Sequence, residues 1–210
     1  MKAKLFAAAL ALAAAAGWWG WGARAQFVLG GAMINAGYRL QDPLVPYDLE
    51  HQEASPAQVW REFLRHNEMA AAVRARWPRS VRHPVVALVT CMDGRLDTNE
   101  IAGDTRRYYY VVRLAGSVLA VKEEEMLELA VANGVKVVVF TTHSDCAAEK
   151  VARDAVRRRE YPQLSAAIQE REARFREFLE RPAIRARTQA GELLVKWMDL
   201  DTHTERVMPH

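Results

Sequence analysis

Two apolar runs, each closed by a group of ligand-type side chains, dominate the hydrophobic pattern. Val85 to Thr90 is continuous and rich in β-branched residues, and it runs straight into Cys91-Met92-Asp93-Gly94-Arg95. Lys136 to Thr142 has the same character and runs into His143-Ser144-Asp145-Cys146. Unbroken apolar runs of this length suit strands buried on both faces. A third run, Tyr108 to Arg113, lies between them. The stretch from Ser117 to Asn133 reads as a helix, with Glu123, Glu124 and Glu125 early and Asn133-Gly134 closing it. Strand, helix, strand at these lengths predicts a right-handed βαβ unit. The expected fold class is α/β, with a central, mostly parallel sheet flanked by helices.

The flanking pattern fills in the rest. Ser55-Pro56 predicts a helix start with Ser55 as N-cap, and Pro78 ends that helix. After Cys146 the pattern predicts one helix over Ala147 to Glu160 and another over Leu164 to Glu180, with Pro182 breaking the second. Leu193 to Met198 reads as a last strand, and Glu205 to Val207 as a short returning pair. Gln26 to Ser55 is punctuated by Gly30-Gly31, Gly37, Pro43 and Pro46, and is expected to be an irregular linker or arm.

The first residues change the picture of where the chain works. Lys2 and Lys4 precede an Ala- and Leu-rich run, and Ala23-Arg24-Ala25 is a small-x-small site. Residues 1–25 therefore read as a signal peptide cut before Gln26. Leu5 to Ala23 also carries no charge, close to the ~20 apolar residues that span a bilayer, and Trp18, Trp19 and Trp21 suit an interface. An uncleaved N-terminal anchor is the alternative. Both readings put the folded domain, expected over 56–210, outside the cytoplasm: periplasmic or secreted if cut, membrane-anchored if not. Contact with a membrane is expected only for the anchored form.

Composition narrows the function. The chain has 210 residues, half of them hydrophobic, and a formal net charge of +3. That charge is small for the length, and no nucleic-acid motif accompanies it. Two cysteines cannot build a disulfide framework. Both lie just past the ends of predicted parallel strands, where open α/β sheets place their sites. Two thiolates and an imidazole suit zinc, and three protein ligands leave a fourth position open to water. Asp93 is either the fourth ligand, closing the site, or the partner of Arg95, and the residues alone leave both readings open. The plainer alternatives are two buried core thiols, a redox pair without the Cys-x-x-Cys spacing, and a turn-stabilising Asp–Arg pair. Asp145 reads as a helix N-cap or a solvent-facing residue. The charged stretch Glu170 to Arg181 reads as a solvated helix face.

Cys91-Met92-Asp93-Gly94-Arg95-Leu96, Arg113-Leu114-Ala115-Gly116 and His143-Ser144-Asp145-Cys146 together resemble the β-class carbonic anhydrases, most closely the small prokaryotic branch with a Cys-Met-Asp-x-Arg motif. The resemblance covers residues 58–207 in order of elements. It implies one Zn2+ per chain on Cys91, His143 and Cys146. It implies a catalytic Asp93–Arg95 dyad, with Arg113, Ala115 and Gly116 as candidates for the substrate pocket. It further implies reversible hydration of carbon dioxide to bicarbonate and a proton, by a homodimer or dimer of dimers. Two departures stand out. Leu114 replaces the family's usual Asn, and Ala147 replaces the Gly that usually follows the second cysteine. They leave room for a related carbon disulfide or carbonyl sulfide hydrolase, or for a zinc-binding module that has lost turnover.

Overall fold

The computed structural model describes residues 2–41, 55–78 and 82–210, with side chains described from Gly22 onward. The chain divides into two compact units, Met1–Arg79 and Ser80–His210.

The first unit contains α1 (Lys2–Gln41) and α2 (Pro56–Arg76). The irregular arm expected from Gln26 is helical through Gln41. The glycines at 30, 31 and 37 each cost a helix only about 1 kcal/mol, and Ala, Leu and Met around them favour it. The rest of that arm, residues 42–54, lies outside the described residues. The side chains up to Trp21, in the segment expected to be a signal or an anchor, also lie outside them. Among the described residues no helix is long and apolar enough to cross a membrane. The start of α2 is as the sequence predicts. Ser55 Oγ accepts from the Gln58 N–H at 3.4 Å, and Gln58 Oε1 accepts from the Ser55 N–H at 2.7 Å. None of the residues of α2 is buried.

The second unit is a five-stranded sheet in the order β2-β1-β3-β4-β5. Its strands are β1 (Val86–Cys91), β2 (Tyr109–Leu114), β3 (Val137–His143), β4 (Leu194–Leu200) and β5 (Val207–Pro209). The first four run parallel, and β5 returns antiparallel along Met198 to Leu200. Helices α3 (Thr98–Ala102) and α4 (Thr105–Tyr108) connect β1 to β2, and α5 (Val121–Ala132) connects β2 to β3. From β3 to β4 the chain passes through α6 (Ala147–Arg153), α7 (Arg157–Glu160), α8 (Pro162–Glu180) and α9 (Pro182–Gln189). The main core joins Ala87, Val89, Val138 and Phe140 of the central strands to Leu127 and Val131 of α5, Phe178 of α8 and Ile184 of α9. A second cluster, Cys91, Leu96, Cys146, Ala148 and Leu200, surrounds the ends of β1 and β3.

Two helix boundaries depart from the sequence expectation for local reasons. The helix expected from Ser117 starts at Val121, because Ala115–Ser117 forms a 3-10 turn with both Gly116 (φ 61°) and Ser117 (φ 57°) left-handed. The Ala120 N–H at its start donates to the Glu123 carboxylate at 3.1 Å. The helix expected over 147–160 breaks at Asp154, whose carboxylate accepts from the Val156 and Arg157 N–H groups at 2.8 and 2.9 Å. Helices α3 and α4 were not foreseen. Each is five residues or fewer and is started by an aspartate N-cap, Asp97 and Asp104.

Candidate metal centre

Cys91 ends β1, and His143 ends β3, the neighbouring strand. A two-residue turn then carries the chain to Cys146, the N-cap of α6. All three side chains are buried, and their ligand atoms lie within 4.8 Å of one another. The predicted set is thus brought together by two central strands and one helix start.

The local bonding fits a cation. His143 Nδ1 lies 2.9 Å from the Ser144 carbonyl oxygen. A carbonyl only accepts, so this bond puts the proton on Nδ1 and leaves Nε2 as a lone pair. Nε2 is buried and makes no hydrogen bond. A buried imidazole nitrogen without a partner beside two sulfurs is costly unless something binds it. Zinc, held at about 2.0–2.3 Å from imidazole and thiolate donors, matches this set. The neighbouring Cys146 thiol holds the Cys91 pKa well below its ordinary value, against the opposing effect of burial. Cys146 is pushed up in turn, first by Cys91 and then by burial. The Cys91 sulfur also raises the His143 pKa. The neighbouring backbone favours the thiolate at each place: that of Asp93 and Gly116 lowers the Cys91 pKa, and that of Glu149 and Ala148 opposes the rise at Cys146.

Asp93 is taken up by Arg95. Its Oδ1 accepts from the Arg95 backbone N–H and from Nε, both at 3.0 Å, and its Oδ2 accepts from Nη2 at 2.8 Å. This fork-on-fork pairing holds the Asp93 carboxyl far below the usual carboxylate range and raises the Arg95 guanidinium. The tight turn from Gly94 allows it: Leu96 N–H returns to the Asp93 carbonyl at 3.1 Å.

Arg113 holds the same loop through its backbone. Its Nε donates to the Cys91 carbonyl at 3.3 Å and its Nη2 to the Asp93 carbonyl at 2.5 Å. Leu114 packs its half-buried side chain against the sheet core. Ala115 opens the 3-10 turn, and Gly116 closes tightly against α8. A Cβ at Gly116 would come within 2.1 Å of Ile168 Cδ1. Ala147 is the first residue of α6.

Three contributors were not read from the sequence as part of the site. Asp145 caps no helix; with φ at 61° it turns back so that Oδ2 accepts from Arg95 Nη1 at 3.0 Å and its carbonyl from Nη2 at 3.1 Å. Lys150 pairs with its other oxygen. Arg171 of α8 donates to the Gly116 carbonyl at 3.2 Å and to Glu149 at 2.8 Å. A positive-φ aspartate beside His143 and one arginine among the many of α8 give no pattern in the sequence that marks them.

The comparisons agree with this geometry. The family profile described as carbonic anhydrase matches residues 86–202, from the start of β1 to just past β4. No curated protein matches the chain. Among solved structures, a carbonic anhydrase from Streptococcus mutans is similar over 75% of this chain and 99% of its own, at 21% identity and a TM-score of 0.55. A tetrameric β-carbonic anhydrase of the ascomycete Sordaria macrospora covers 70% and 93%, at 19% identity and a TM-score of 0.52. Isoform I of the β-carbonic anhydrase from Trichomonas vaginalis covers 74% and 97%, at 16% identity and a TM-score of 0.53. These three share the fold. With the profile spanning more than half of the chain and centred on the two ligand-bearing strands, this chain belongs to the β-carbonic anhydrase family.

Proposed function

We propose that the protein catalyses the reversible hydration of carbon dioxide to bicarbonate and a proton, with one zinc ion per chain. The observation that carries the reading is the convergence of the Cys91 and Cys146 sulfurs with the unpartnered, buried His143 Nε2, beside the Asp93–Arg95 pair. Cys91, His143 and Cys146 would hold the metal. Zinc so held lowers the pKa of a bound water to about 7, which supplies a nucleophile at neutral pH.

The chain's own residues supply orientation. Asp93 is kept ionised by Arg95 and fixed by three hydrogen bonds, so it serves as a pre-set acceptor. Its part is to take a hydrogen bond from the reacting water and point the oxygen lone pair at carbon dioxide. Arg95 is in turn tied to Asp145, which keeps the acceptor from swinging freely. Rotation of Asp93 away from Arg95 would give the closed state, with its carboxylate as a fourth ligand. Arg113 fixes the carbonyls of Cys91 and Asp93, and the turn Ala115-Gly116 forms the wall on which carbon dioxide rests.

The Cys-Met-Asp-x-Arg run favours the small prokaryotic branch of the family. The N-terminal segment favours export to the periplasm or the medium. Assembly as a homodimer or dimer of dimers is part of the same reading.

Metal analysis and stopped-flow hydration of carbon dioxide test the proposal together. One zinc per chain and hydration that disappears on chelation are the expected results. One zinc per chain with no hydration from neutral to alkaline pH would sink the activity and leave the binding. Turnover of carbon disulfide in place of carbon dioxide would redirect the substrate assignment.

A further inference from the structure

Arg171 lies on α8, far in sequence from both ligand-bearing strands, yet its guanidinium touches the segments next to both cysteines. Nη1 donates to the Gly116 carbonyl at 3.2 Å, and Nη2 donates to Glu149 Oε1 at 2.8 Å. Gly116 lies two residues past Leu114, which pairs with Cys91 in the sheet, and Glu149 lies in the first turn of α6, whose N-cap is Cys146. The side chains of Arg171 and Glu149 are only 18% and 17% exposed. Ion pairs shielded to this degree are screened far less than surface pairs. The same helix supplies Ile168, which packs against the Gly116 Cα. Helix α8 therefore fixes the Gly116 turn at two points and the start of α6 at a third.

We propose that Arg171 is a positioning residue: it locks the Gly116 turn to the first turn of α6 and thereby holds the Cys91 and Cys146 donors at the separation a metal ion requires. The inference rests on the zinc reading above. A planar fork is needed for the task. Arginine presents several fixed donors and can serve a carbonyl and a carboxylate at once, whereas a lysine ammonium at this place reaches one. Arg153 provides the internal contrast. It pairs with the other oxygen of Glu149 at 2.9 Å, is 81% exposed, and makes no bond to Gly116. It shares the carboxylate without joining the two halves of the site.

The experiment compares full-length parent, R171M, R171K and R153M. Each is loaded with zinc and challenged with excess chelator, and release is followed by a zinc indicator. Each is also loaded with cobalt(II), whose thiolate charge-transfer and ligand-field bands report donor geometry. Melting temperatures of the chelated proteins give a measure of fold stability without metal. R171M is expected to release zinc about tenfold faster than the parent, with altered cobalt bands, while R153M stays within about twofold. R171K is the decisive variant, and it decides alone if R171M fails to fold. It is expected to melt with R153M when chelated but to release zinc faster than R153M does. Parental release rates and cobalt spectra in R171K overturn the proposal. A parent that takes up neither zinc nor cobalt overturns the zinc reading and this inference with it. A parent that holds metal but hydrates no carbon dioxide sinks the activity alone, and the release rates still decide the role of Arg171.

Discussion

At the scale of single residues, Asp93 and Gly116 carry the sharpest consequences. D93N retains the shape of Asp93 but loses the charge that Arg95 holds. Its hydration kcat/KM is expected to fall about 100-fold, the lower end for a lost acid–base group, with zinc content unchanged. The same variant tests the electrostatics. Asp93 has its folded pKa below the unfolded value of about 3.9, so its stabilising pairing is fully present above that value. The pairing is lost only as pH falls through the folded pKa. The stability difference between parent and D93N is therefore expected to stay flat from pH 8 to pH 5 and to shrink below about pH 4, as read from denaturant midpoints at each pH. G116A meets two obstacles, the Ile168 contact and the left-handed backbone. A loss of about 1–3 kcal/mol is expected from urea unfolding. The double variant G116A/I168A should recover only the part due to the contact, since the backbone strain remains.

At the scale of elements, β1, β3 and α8 divide the work. The two strands place ligands; α8 both closes the core and braces the site. Phe178 of α8 is fully buried, and its ring meets Phe140 of β3 at a centroid distance of 5.5 Å. F178A is expected to cost about 3–5 kcal/mol, measured by chemical denaturation. Strands β1, β2 and β3 were legible in the sequence to within a residue, whereas β4 and β5 end two residues beyond their expected bounds; β1 reads most clearly, because Ala87 to Cys91 is buried throughout and shows no competing period. The cluster that could hold a metal was legible for a related reason: Cys91 and His143 are the last residues of β1 and β3, and Cys146 follows one turn later as the N-cap of α6. What was not legible depends on contacts between distant segments. Nothing local distinguishes Arg171 from Arg174, yet Arg171 turns inward to Gly116 while Arg174 pairs with Glu170 and Glu177 on its own helix. The break at Asp154 and the left-handed Ser117 likewise follow from local hydrogen bonds and turn geometry that outcompete helix propensity. In the first unit the opposite holds: Gly30-Gly31 and Gly37 read as turn signals in the sequence, yet the helix continues through them to Gln41.

At the scale of the molecule, the sheet leaves β2 at one edge, with Tyr110 and Val111 of the strand and Tyr108 just before it each roughly two-fifths exposed. An open edge with apolar side chains invites pairing with another chain. Sedimentation velocity of the purified protein is expected to show a species of at least twice the 23.7 kDa chain; a monomer at micromolar concentration would contradict the proposed assembly. Zinc removal is a second test at this scale. With free zinc at 100 times its Kd, binding to the folded state alone stabilises by about 2.7 kcal/mol. Dialysis against chelator is expected to lower the melting temperature accordingly, and added zinc to restore it.

The adjacency of β1 and β3 has a consequence for how the chain explores its unfolded states. Their terminal ligands are neighbours in space but roughly fifty residues apart in sequence. An ion that grips both therefore acts as a clasp on a long loop that contains β2 and α5. Closing a flexible loop of that length costs on the order of 3–4 kcal/mol in chain entropy. The folded sheet has already met that cost through its strand pairing, whereas the unfolded chain has not. The sheet thus presents the ion with a closed ring, and the coupling runs in both directions: whatever loosens the pairing of β1 with β3 weakens the grip on the ion.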